Sequence, residues 1–254
     1  MLAVLLSALA LTTLPLDAAH RDVAAAVSRD GAVLLLAAPV LSAAAPPAAA
    51  AVAALSGLLS EVEAVLPDYE RRQFSFLEVC HRSPCRYDVA LSSLAAEETT
   101  AWAALDAAVD KLVLPVLEHL DDGPLWSSAA ASSGVVVSQP GARHQSYHAD
   151  GDKEGLLNAF VPLVDVPART HGTEFWLGSH LEPHAASLAA TLQYDEDVET
   201  VAPAMRRGDL LLFDYRTIHR GRAHPARLAA PRPVFYRTFS RVEDEWNFPS
   251  RSLR

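Results

Sequence analysis

The chain has 254 residues, half of them hydrophobic, with a formal net charge of −10 and two cysteines. That apolar content supports a sizeable core and excludes global disorder. The acidic balance excludes a broad nucleic-acid footprint or an anionic membrane surface, though not a small basic pocket for an anion.

Residues 2–16 are apolar except for Ser7, Thr12 and Thr13. The run is too short to span a bilayer comfortably. No Lys or Arg precedes Arg21, so the basic start of a secretory leader is missing. Residues 1–19 therefore read as a first buried helix. A secretory or organellar leader ending near Ala18 and Ala19 is the alternative, and a cytoplasmic location is the expectation. No other segment reads as transmembrane. Next, "AAHRDVAAAVSRDGAVLLL" predicts a helix stopped near Gly31 and a short buried strand, Ala32–Leu36. The alanine-rich run after Pro46 and Pro47 predicts a second helix, to about Leu66.

The two cysteines, Cys80 and Cys85 in "CHRSPC", are too few for a disulfide framework, and a zinc site would need more ligands nearby. Over residues 97–120, Trp102, Leu105, Val109, Leu112, Val116 and Leu120 recur at three and four, which predicts a scaffold helix kinked or divided at Pro115. After "DDGP" the character changes. "GVVVSQ", "LLNAFVPLV", "TEFWLG", "DLLLFDY" and "PVFYRTFS" are short β-branched or aromatic runs separated by turn residues, as in a sandwich or barrel. Residues 20–254 thus read as one domain, with 20–130 mostly helical and 131–250 forming the β core.

The chemistry centres on "SYHADGDKEG", residues 146–155. Residues i and i+2 of a strand share a face, so His148 and Asp150 point the same way. An imidazole and a carboxylate on one face are two ligands for a divalent metal. Two histidines and one carboxylate form the facial set that leaves positions open on non-haem iron. His219, in "RRGDLLLFDYRTIHRG", supplies the second histidine from a distant strand. Two other pairs read poorly as metal sites. His144 and His148 are four apart, but Gln145 stands where a zinc-peptidase helix needs Glu, and Gly141 and Gly151 flank the segment. His180 and His184 have Pro183 between them.

The order of "GVVVSQPGARHQSYHADG", "LNAFVPLVDV", "GTEFWLGSH", "RGDLLLFDYRTIHRG" and "APRPVFYRTFSR", with "DGAVLL" and "RYDVAL" more loosely upstream, resembles the phytanoyl-CoA dioxygenase family of iron(II)/2-oxoglutarate oxygenases. The resemblance implies a mainly β, α+β fold: a double-stranded β-helix, or cupin-like jelly roll, with N-terminal helices packed on one side. It implies Fe(2+) held by His148, Asp150 and His219, with 2-oxoglutarate and O2 as co-substrates. Arg232 falls where the family holds the distal carboxylate of 2-oxoglutarate, and a planar guanidinium meets a carboxylate through two parallel hydrogen bonds. Arg237 is the reserve candidate. Phe160 falls where a bulky side chain packs on the cofactor, and Asn158 shares its face. Gln145 and Tyr147 are further pocket candidates, and Asp214 is a candidate to orient the loop of His219.

The implied reaction is hydroxylation of an unactivated C–H bond of a small-molecule or acyl substrate, releasing succinate and CO2. Related halogenases lack the carboxylate, and Asp150 is intact. The alternatives are a non-catalytic jelly roll that binds a ligand or a protein, and a zinc hydrolase on the same three ligands. Two positions depart from the family pattern. Leu177 precedes Gly178-Ser179-His180 where proline is frequent, and His224 stands where asparagine is common. They leave loop geometry and substrate open. No nucleic-acid or membrane partner is expected, and the oligomeric state is not legible.

Overall fold

The computed structural model describes residues 10–36, 41, 55, 59, 75–76, 79–91, 96–120, 130–168, 172–182, 189 and 199–241. The helix expected from Pro46 to Leu66 falls almost entirely outside them. Strand β1 is Thr13–Pro15, helix α1 His20–Asp30 and strand β2 Ala32–Leu36. Strands β3 (Ser75–Phe76), β4 (Val79–Ser83) and β5 (Arg86–Ala90) precede helix α2, Ala96–Leu117. Strands β6 (Ala130–Ser138), β7 (Leu156–Pro162), β8 (Thr173–Phe175), β9 (Leu210–Asp214), β10 (His219–Gly221) and β11 (Arg232–Ser240) follow.

The end of α1 lies where the sequence puts it. Gly31 adopts a left-handed φ of 79° and its N–H caps the carbonyl of Val27. A side chain there would be strained and would meet His180 and Thr217. The chain then enters β2 without a linker. One expectation needs correction. From Leu11 the N-terminal segment is extended, not helical, because β1 pairs in parallel with β2. The β-branched Thr12 and Thr13 and the ring of Pro15 suit that conformation. Residues 20–130 also supply β3, β4 and β5 to the main sheet, beside α1 and α2. Helix α2 runs on through Pro115 and ends at Leu117. No described helix is long and apolar enough to cross a membrane.

Among the described residues, nine strands form one sheet in the order β1-β2-β9-β7-β11-β6-β5-β4-β3, and β10 pairs with β8 in a second, small sheet. The two layers are those of a jelly roll. Strand alternation gives the large sheet two unlike faces. One presents Tyr87, Val89, Val135, Val137, Leu157, Ala159, Phe235 and Phe239 to the helices. There it packs on Val23 and Val27 of α1 and on Trp102, Leu105, Val109 and Val116 of α2. The Trp102 and Phe235 rings lie stacked with centroids 6.3 Å apart. Burying each such large side chain contributes roughly 1.5–3 kcal/mol. The opposite face carries Arg86, Asp88, Ser132, Val136, Asn158, Phe160, Arg232, Val234, Tyr236 and Thr238, which line a cavity of about 520 Å³.

Candidate metal centre and cofactor pocket

The small sheet builds the metal centre. His148 and His219 form an antiparallel bridge, each N–H donating to the other's carbonyl at 2.9 Å. Two residues on, the N–H of Asp150 donates to the carbonyl of Tyr215 at 3.0 Å. Backbone pairing thus brings three distant side chains together, with one ligand atom from each within 4.8 Å of the others. Nε2 of His148 lies 3.8 Å from Asp150 Oδ1, and Nε2 of His219 lies 3.7 Å from Oδ2.

The rings are set for ligation. Nδ1 of His148 is 2.8 Å from the carbonyl of Ser146, and Nδ1 of His219 is 2.9 Å from that of Thr217. A carbonyl only accepts, so each Nδ1 carries the proton and each Nε2 turns a lone pair toward Asp150. Burial, and then His219, push the His148 imidazole down to about 4 against the pull of Asp150, so it is neutral at ordinary pH. His219 is packed among Phe175 and Phe213, with ring centroids 5.6 and 5.1 Å away.

The motif around Gly178-Ser179-His180 holds this layer in place. Ser179 Oγ accepts the N–H of Ile218, next to His219, and donates to the carbonyl of Trp176. Buried His180 uses Nε2 on the carbonyl of Ser28, which makes it a tie to α1 and not a ligand. Asp214 accepts the backbone N–H and guanidinium of Arg216, shaping the turn before His219. Buried Glu174 on β8 accepts from Arg220 Nε and Thr200 Oγ1, both at 2.7 Å, clamping β8 to its partner β10. Burial alone raises the Glu174 carboxyl, but the Thr200 and Arg220 donors together bring it below the usual range.

The far end of the cavity is cationic. Arg86, Ser138 and Arg232 are in register across β5, β6 and β11. Both arginines are buried, and both donate to Ser138 Oγ, Arg86 Nε at 3.0 Å and Arg232 Nη2 at 2.8 Å. Arg86 Nη2 also reaches the carbonyl of Arg222, just beyond β10. Arg232 Nε has no hydrogen-bond partner. Among the described residues neither guanidinium has an ion pair. Burial pushes Arg86 down to about 10, and burial plus the neighbouring Arg86 push Arg232 down to about 9. Two buried like charges without a counter-ion are costly unless an anion joins them.

The remaining candidates separate clearly. Phe160 lines the cavity, edge-on to Phe213 at 4.8 Å. Asn158 also lines it, and its amide donates to Asp150 Oδ2 at 2.7 Å. Gln145 lines it and accepts the N–H of Gly221 at 2.9 Å. Tyr147 instead lies under the guanidinium of Arg220, 4.1 Å from its ring centroid. His144 lines the cavity outside the triad, and His184 lies outside the described residues. His224 Nε2 bonds the carbonyl of Ala230 and ties down the loop before β11. Arg237 is excluded from the pocket, because five residues from Arg232 an odd step turns it to the helices, where it pairs with Asp106 and Asp110.

Sequence reading missed Arg86 and the wall beside it. Arg82 donates to buried Asp88 through Nε at 3.0 Å and Nη2 at 2.5 Å. Asp88 Oδ1 has no hydrogen-bond partner. Burial raises the Asp88 carboxyl against the pull of Arg82 and then Tyr236. The Tyr236 ring crosses β6 at Gly134, where any side chain would collide with it. Burial, followed by the charge of Asp88, pushes its phenol well above the usual range. The polar alternation of "RYDVA" was the available signal, but it also describes a solvated strand.

Comparisons with known proteins bear on the fold and the family. AviO1 from Streptomyces viridochromogenes Tue57 is 17% identical with a TM-score of 0.60, the match covering 91% of this chain and 98% of that one. EvdO2 from Micromonospora carbonacea var. aurantiaca, complexed with 2-oxoglutarate, is 15% identical with a TM-score of 0.53, covering 91% and 94%. The epimerase SnoN from nogalamycin biosynthesis, in a complex with Fe3+, alpha ketoglutarate and nogalamycin RO, is 21% identical with a TM-score of 0.50, covering 88% and 84%. These likenesses are of fold. No curated protein matches the chain. The family model for phytanoyl-CoA dioxygenase matches residues 43–227, most of the chain, a range that includes His148, Asp150 and His219. The chain belongs to the phytanoyl-CoA dioxygenase family of iron- and 2-oxoglutarate-dependent oxygenases.

Proposed function

We propose that the protein uses iron(II), 2-oxoglutarate and dioxygen to hydroxylate an unactivated C–H bond of a small polar molecule, releasing succinate and CO2. The observation that carries this reading is the pairing, in one cavity, of two tautomer-set histidines and a carboxylate with a buried arginine pair that has no ion pair among the described residues. Iron and its 2-oxo acid, when bound, supply the oxidising chemistry. His148, Asp150 and His219 would hold the metal. Arg232 and Arg86 would receive the distal carboxylate, with Ser138 between them. Strand β10 acts as a ruler: Arg86 is anchored at Arg222, three residues from His219, or on the order of 10 Å of extended chain. Phe160 and Val234, lying along that path, would cover the methylene groups.

The substrate side is polar. Arg82, Asp88, Ser132, Tyr236 and Thr238 share the cavity wall with few apolar side chains. Asp88 is already neutralised by Arg82, and its Oδ1 remains without a hydrogen-bond partner. The polar side chains of this wall suit a hydroxyl-bearing group, whereas a hydrocarbon chain against them would leave them unpartnered. The wall therefore favours a hydroxyl-bearing molecule over a long acyl chain.

Anaerobic titration with iron(II) and 2-oxoglutarate tests the reading. A visible metal-to-ligand charge-transfer band is expected. Its absence from folded, metal-loaded protein would overturn the assignment.

A further inference from the structure

We propose that Thr238 and Asn158 form a positioning relay that aims the metal-facing carboxylate of Asp150. The proposal rests on the metal reading above but concerns residues that do not themselves ligate. Asn158 Nδ2 is 2.7 Å from Asp150 Oδ2, and Thr238 Oγ1 is 2.5 Å from Asn158 Oδ1. The chemistry sets the direction of both bonds. A carboxylate accepts, so the amide turns its NH2 group toward Asp150. That leaves Asn158 Oδ1 facing Thr238, whose hydroxyl donates. The threonine therefore selects one of the two amide orientations, and the amide selects one carboxylate oxygen.

The arrangement links a loop to the rigid middle of the sheet. Asp150 lies between β6 and β7, outside the named strands. Asn158 and Thr238 are direct cross-strand partners on β7 and β11. Both are buried, at 3% and 4% exposure, although their side chains face the cavity. The carboxylate faces the two imidazoles at nearly equal distances, 3.8 and 3.7 Å. With the relay, Oδ2 is engaged from the sheet side and the carboxylate plane is held. The bond also explains a polar residue within the apolar run "LLNAFVPL". A buried amide there is retained only if it is partnered.

Cobalt(II) uptake by the metal-free protein tests the relay without any substrate. Affinity is measured by competition with a chelator, and geometry by the visible d–d spectrum. Removing a partner that orients a ligand costs about 10- to 100-fold in metal affinity. Asn158→Leu is expected to show that loss with a changed spectrum. Thr238→Val, which touches no ligand, is expected to lose on the order of threefold to tenfold, and Thr238→Ser to recover it by restoring the hydroxyl. Should Asn158→Leu not fold, the Thr238 pair decides alone. The relay is overturned if Thr238→Val binds cobalt(II) like wild type with an unchanged spectrum. Wild-type protein that takes up no cobalt(II) overturns the metal centre itself, and the relay with it.

Discussion

The two faces of the nine-stranded sheet come from the same strands and follow opposite rules. Along β11, Phe235, Arg237 and Phe239 turn to the helices, while Arg232, Val234, Tyr236 and Thr238 turn to the cavity. The helix face is hydrophobic and filled. Its charged member on β11, Arg237, is matched by Asp106, Asp110 and Ser133. The cavity face is also largely buried, yet among the described residues neither of its two arginines has an ion pair, and Arg232 Nε has no hydrogen-bond partner. One face satisfies itself, and the other is completed only by what binds to it. Unsatisfied buried charge is thus the physical mark of function in this sheet.

The largest expected effects separate the faces. Asp150→Ala removes the only carboxylate of the metal triad, and 2-oxoglutarate turnover should fall to background in protein that remains folded by circular dichroism. Phe235→Ala should do the reverse. It empties a fully buried ring site against Trp102 and should cost about 3–5 kcal/mol in denaturant unfolding. The surviving folded protein should bind 2-oxoglutarate with wild-type affinity. Loss of stability in the first variant and loss of affinity in the second would erase the distinction.

Sequence reading reached the filled face and the cluster of His148, Asp150 and His219 but not the whole of the open face. The helix stop at Gly31, the buried β2 and the apolar period of α2 were legible because each is a local pattern. His148 and Asp150 were legible through their spacing, and His219 and Arg232 through their order along the chain. Arg86, Asp88 and Tyr236 were not. In "RYDVA" the alternation of polar and apolar residues predicts one wet face. Here the small sheet and its loops cover that face, and only the register of β5 with β6 reveals it. Asn158 stood out as a polar residue in an apolar run, but its partner Asp150 lies eight residues back across a loop. The parallel pairing of β1 was hidden too, since an apolar run does not say whether it forms helix or strand.

A smaller effect is expected at the arginine pair. Arg232→Met and Arg86→Met should each weaken 2-oxoglutarate binding on the order of a hundredfold, as for other buried hydrogen-bonded charges. Arg237→Met should leave that affinity unchanged and lower stability instead, because it strands Asp106 and Asp110. Isothermal titration and thermal melts of the three proteins give both readings. Equal affinity loss in Arg237→Met would mean that the two faces are mechanically coupled.

The smallest effect is a pH dependence that only the open face should show. Glutarate, which has both carboxylates but no oxo group to chelate a metal, isolates the arginine pair in metal-free protein. In the free protein Arg232 is pulled down to about 9, by burial first and Arg86 second. A bound carboxylate favours the charged guanidinium, so its pKa is higher in the complex. Well below pH 9 the guanidinium is charged in both states and affinity is flat. As pH rises through that value the free protein loses the proton and binding must take it back, so affinity falls by at most about tenfold per pH unit. In Arg86→Met the Coulombic part of the depression disappears. Its affinity is lower throughout, but the fall should begin at higher pH. Arg237→Met should retain the wild-type profile, since its guanidinium belongs to the closed face. A glutarate affinity that stays flat to pH 10 in wild type, with the protein still folded, would mean that Arg232 is not depressed and that its charge is matched from elsewhere.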